Sequence, residues 1–100
     1  MATYIFDLDG TLVEYHTNRF LPGALDMLKA KSAEKHRIIV ITMRAERDRD
    51  EEWSIDNTVK LFNESGVNVT LLVDVPAPRM LIDDMKPTAI HRELNQEWKP

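Results

Sequence analysis

Residues Tyr4-Ile5-Phe6-Asp7-Leu8-Asp9-Gly10-Thr11-Leu12 constrain this chain more than any other stretch. A short apolar run leads into two carboxylates at i and i+2, followed at once by a glycine turn. Carboxylates at the rim of an apolar core repel each other unless something cationic sits between them. The segment therefore reads as a buried strand whose end opens into an active site. As pure scaffold it would be costly.

The rest of the chain alternates between strand and helix signals. Residues 3–8 suit a central strand covered on both faces. Residues 12–21 look irregular, and Pro22 suits the first turn of a helix over about 22–33, with Ala24, Leu25 and Leu28 as its apolar stripe. Arg37-Ile-Ile-Val-Ile-Thr42 is the cleanest strand signal, nearly continuous and β-branched. After the charged stretch Arg44 to Glu52, a helix is expected over about 50–64, with Trp53, Ile55, Val59 and Phe62 inward and Gly66 as its stop. Residues 67–73 read as a third strand, and the proline-rich 74–78 as a loop. Arg79–Ile82 reads as a short fourth strand ending at Asp83-Asp84, and Pro87 introduces a last helix to about 96.

This order predicts an α/β fold: a minimal parallel sheet of about four strands flanked by helices, all in one domain over residues 1–100. Ligand sites in such sheets lie beyond the carboxyl ends of the strands. Asp7, Asp9, Thr42, Asp83 and Asp84 all fall at such ends. Composition narrows the function. A net charge of -4 gives no general footprint for nucleic acid, although a local basic patch stays open. No apolar run nears the ~20 residues of a membrane span. No basic-then-apolar leader is visible, and cysteine is absent, which removes disulfides and thiolate metal sites. A cytoplasmic setting is expected.

Asp7-Leu-Asp9-Gly10-Thr11-Leu12-Val13 resembles the first motif of the haloacid dehalogenase-like (HAD) hydrolases, most of them magnesium-dependent phosphatases. Ile41-Thr42-Met43-Arg44 resembles the second motif, and Leu81-Ile82-Asp83-Asp84 the last, acidic one. The resemblance implies a three-layer Rossmann-like fold and an aspartyl-phosphate intermediate. Asp7 would be the nucleophile and Asp9 the acid/base. Mg²⁺ would be held by Asp7, Asp83 and the backbone carbonyl of Asp9, with Asp84 acting directly or through water. Gly10, Thr11, Thr42 and Met43 would line the phosphate.

Two departures shape the expectation. The family's lysine is missing, because Asp74-Val75-Pro76-Ala77-Pro78 has valine before the proline. Lys86 ranks first as its replacement, then Arg44 and Arg47, while Arg79 falls at the wrong end of a straight fourth strand. There is also no room for a cap between Val13 and Arg37 or between Thr42 and Asp83. An open site selects small substrates poorly unless a partner subunit covers it. The expected activity is therefore a Mg²⁺-dependent, capless phosphomonoester hydrolase acting on a sugar phosphate or another accessible phosphate. The alternatives are a nucleotide or nucleic-acid-end phosphatase and a non-catalytic metal- or phosphate-binding module. Trp53 and Trp98 are candidates for core or for a homo-oligomer interface. His16, His36 and His91 are expected to be solvated or structural.

Overall fold

The computed structural model describes all 100 residues. Its elements are β1 (Thr3–Asp7), α1 (Ala24–Ala33), β2 (Arg37–Ile41), α2 (Ile55–Ser65) and β3 (Thr70–Leu72), with a single 3-10 turn at Glu46–Asp48. The sheet is parallel in the order β1-β2-β3. Thr3 to Asp7 lie opposite Arg37 to Ile41, and Ile39 to Ile41 lie opposite Thr70 to Leu72. The strands therefore end level. Asp7 and Thr42 reach the same edge of the sheet because each stands at or just past its strand's last paired residue.

Both helices begin later than their patterns predict, for local reasons. Gly23 sits in the left-handed region at φ 81, so α1 starts only at Ala24. A Cβ at Gly23 would collide with the backbone of Trp98, whose N–H donates to the Pro22 carbonyl at 2.8 Å. Ser54 caps α2 by accepting the Asn57 N–H at 3.1 Å, which leaves residues 50–54 outside the helix. Gly66 ends α2 as expected. The face that α2 buries is rotated from the expected one. Ser54, Thr58 and Phe62 point inward at i, i+4 and i+8, while Val59 is exposed. Hydrophobic periodicity cannot register a buried threonine.

Eleven buried residues form the core, from Phe6, Leu8, Leu12 and Val13 around the first strand to Leu28, Ile38, Val40, Phe62 and Val67. Trp98 packs against this core within its own chain. Its ring meets Phe6 edge-on, its Nε1–H donates to the Thr11 carbonyl at 2.7 Å, and Arg92 lies over its face. His36 is structural, since it accepts the Ala2 N–H and reaches Glu34.

Three expectations need correction. The sheet has three strands, not about four, and β1 is an edge strand rather than a central one, so Ile5 is half exposed. Residues 79–82 do not pair with β1: Met80, Leu81 and Ile82 are exposed. The cause lies one residue earlier. Arg79 is anchored at the carboxyl end of β1, on Asp7 and the Val75 carbonyl. A chain leaving from that end cannot run parallel to β1 toward the same end. The last helix is also absent. Asn95 takes a left-handed conformation, its N–H donates to the Gly10 carbonyl and its Oδ1 accepts the Tyr15 N–H, so the tail clips onto the first loop. One apolar pair, Ile90 and Leu94, is too weak a stripe to hold a helix against those contacts. No helix is long and apolar enough to cross a membrane.

Candidate active site

The loop after β1 folds tightly over its own strand end. Leu8 extends the ladder by donating to the Ile41 carbonyl at 3.1 Å, and the N–H groups of Thr11, Leu12 and Val13 all converge on the Leu8 carbonyl. Gly10 donates to the Val13 carbonyl at 2.8 Å and stands at φ 79. The Gly10 and Thr11 amides, expected to face phosphate, thus serve the turn in this conformation. A Cβ at Gly10 would collide with the Leu94 side chain, which can move aside, but the positive φ cannot be relieved. Gly10→Ala is expected to cost about 1–2 kcal/mol in a urea titration.

The turn separates the two carboxylates and gives each a different arginine. Asp9 receives Arg44: Nη2 donates to Oδ1 at 2.7 Å and Nε to Oδ2 at 3.1 Å. The same guanidinium donates to the Thr58 hydroxyl at 2.8 Å, to Asn18 Oδ1 and to the Thr17 carbonyl. All five of its N–H donors are therefore used. Its side chain is 2% exposed and that of Asp9 14%. Arg44 is a closed structural node tying the first loop to α2. The backbone N–H of His16 adds a third bond on Asp9 Oδ1 at 3.1 Å. Three of about four lone-pair sites on Asp9 are then filled, which leaves room on Oδ2.

Asp7 receives Arg79, which donates from Nη1 to Oδ1 at 3.0 Å, while the Thr11 hydroxyl reaches Oδ2 at 3.3 Å. This pair is partly open to solvent, with side chains 27% and 36% exposed. It is also incomplete. Arg79 Nε is buried without an acceptor, and an unmet donor of that kind costs about 1–3 kcal/mol. The cation ranked last from sequence is thus the one beside Asp7, and the reason is the absent fourth strand.

Thr42 is buried, accepts the Arg44 N–H at 3.1 Å and keeps its hydroxyl proton to donate. Met43 is half exposed, and its carbonyl accepts from Arg47 at 3.3 Å. Lys86 is exposed and forms no ion pair, against its first ranking. Asp83 and Asp84 are exposed too. The Met85 N–H on Asp83, and then the adjoining Asp84 carboxyl, hold the Asp83 carboxyl below the usual range. No three acidic or histidine side chains gather to hold a metal. As arranged, with guanidinium groups on Asp7 and Asp9 and the other two aspartates elsewhere, the donor set does not fit Mg²⁺.

Asn18, Thr58 and Asn95, which frame the site, carry no signature in sequence, because each acts through hydrogen bonds to residues distant in the chain. Clefts of about 210 and 410 Å³ lie elsewhere, lined by residues such as Phe62 and Val67, or Ser32 and His36, and neither includes Asp7 or Asp9. Asp7, 36% exposed, is the part of the site reached from solvent at the sheet edge. Fold and site together define a small α/β domain with a parallel three-stranded sheet and two flanking helices, in a generic Rossmann-like arrangement. Compared with family models, curated proteins and solved structures, the chain has no match.

Proposed function

We propose that the chain is a HAD-type phosphomonoester hydrolase with Asp7 as nucleophile. The observation that carries this reading is the contrast between the two arginines. Arg44 is saturated and buried, whereas Arg79 lies against Asp7 partly exposed, with one bond from each Nη and a second N–H on each to spare. A carboxylate that must attack a phosphate dianion needs a fixed cation with donors to spare. Arg79 meets that need in place of the missing lysine.

In the proposed reaction an Asp7 oxygen attacks phosphorus and the bond to the leaving alcohol breaks, forming an acyl phosphate. The leaving oxygen takes its proton from solvent at the sheet edge, because Asp9 is ionised against Arg44 and holds none to give. Asp9 then takes a proton from the water that attacks the same phosphorus and passes it to solvent, which releases inorganic phosphate and restores Asp7. Arg44 would hold Asp9 in place throughout. Mg²⁺ belongs to the proposal as a cofactor, on the resemblance alone. Binding it would require the Asp83-Asp84 segment to move to Asp7.

The test is hydrolysis of a panel of phosphomonoesters with and without Mg²⁺. Arg79→Ala is expected to depress kcat/KM about a hundredfold, the scale of losing one preorganised donor, and Lys86→Ala to change it little. Equal effects would refute the assignment of Arg79. A second reading, a binding module without turnover, is favoured by the guanidinium on each carboxylate. Absence of turnover on every member of the panel would select it.

A further inference from the structure

We propose that the exposed aromatic stack beside Asp9 is a nucleobase platform, so that the substrate is a nucleoside monophosphate. This rests on the phosphohydrolase reading, which places the phosphate at Asp7. The Tyr15 and His16 rings stack at 4.2 Å and 26°, and His16 and Trp53 at 5.0 Å and 17°. None of the three belongs to the core: Tyr15 is 52% exposed, His16 is exposed and Trp53 half-buried. His16 lies between the other two rings, so a base can add to the array only on an outer face, that of Tyr15 or of Trp53.

Two features join this stack to the site. His16 holds a left-handed backbone at φ 57, uncommon for a residue with a Cβ, and so directs its own N–H onto Asp9 Oδ1. Tyr15 is clamped by Asn95, the residue that also binds the Gly10 carbonyl. The platform and the acid/base are thus adjacent parts of one braced loop. Bases stack on such aromatic surfaces whatever their identity, because every base has a π-face. A sugar phosphate without a base would leave the platform unused. The surroundings favour a single nucleotide over a polymer. Glu14, Glu51 and Glu52 are exposed nearby, and Arg19 is already paired with Glu14 and Glu52. A long polyanion would be repelled there.

The test compares AMP, GMP and CMP with ribose 5-phosphate, which lacks only the base. Each nucleotide is expected to exceed ribose 5-phosphate in kcat/KM by about tenfold or more. Tyr15→Leu and His16→Asn are expected to collapse that ratio toward unity through KM. Asparagine tolerates the left-handed backbone and keeps the N–H on Asp9. Quenching of Trp53 fluorescence by AMP, lost in Trp53→Phe, reads binding without turnover. AMP binding with no hydrolysis of any phosphomonoester would sustain the platform and refute the phosphohydrolase reading. Equal hydrolysis of AMP and ribose 5-phosphate, unaltered in ratio by both variants, would overturn the platform and leave that reading intact. Hydrolysis confined to terminal phosphates of oligonucleotides would overturn the mononucleotide assignment.

Discussion

Arg44→Ala is expected to lose about 3–5 kcal/mol of folding stability, the usual result of removing one partner from a buried ion pair. The loss has identifiable parts. Asp9 would keep its charge at 14% exposure with only the His16 N–H to meet it, and the Thr58 and Asn18 oxygens would lose their shared donor. Domains of this size have total stabilities of roughly 5–15 kcal/mol, so the variant would sit near the edge of folding. Arg44→Lys is expected to recover little of this, because an ammonium cannot fork across both Asp9 oxygens while serving Thr58 and Asn18. Arg47→Ala, on an exposed side chain, should stay within about 0.5 kcal/mol. Urea titration of the three variants measures the difference. A loss near that of Arg47→Ala would show that the Arg44 network does not hold the loop.

Asp7→Asn is expected to have the opposite profile, with folding nearly unchanged and turnover lost. Its pair with Arg79 is partly solvated, and such pairs contribute about 0–1 kcal/mol. An amide cannot serve as the nucleophile, so kcat should fall by on the order of 10³-fold or more. Asp9→Asn is less clean, since it also strips the charge partner from Arg44. Its loss of activity is interpretable only beside its own unfolding curve. The separation of the two effects follows from the geometry: Asp9 is largely buried under three donors, while Asp7 is held by a partly solvated pair.

How far the sequence revealed this arrangement differs by segment. The strands over Thr3–Asp7 and Arg37–Ile41, the Gly66 stop and the gathering of Asp7, Asp9 and Thr42 on one edge were legible, because each follows from local apolar pattern or turn chemistry. The segment from Arg79 onward was not. Met80-Leu81-Ile82 has the composition of a strand, but a single long-range ion pair starts it at the wrong end of β1. The helix expected after Pro87 is displaced by the contacts of Asn95 and Trp98, neither of which leaves a periodic trace. Thr58 was hidden for a related reason: its burial depends on Arg44, fourteen residues away in sequence.

The central claim is that phosphate passes through Asp7. Acid quenching during turnover of a ³²P-labelled phosphomonoester tests it most directly. Labelled wild-type protein should carry phosphate that survives acid and is released by hydroxylamine, as an acyl phosphate is, and Asp7→Asn should carry none. Turnover without such label, or equal label on Asp7→Asn, would contradict the account.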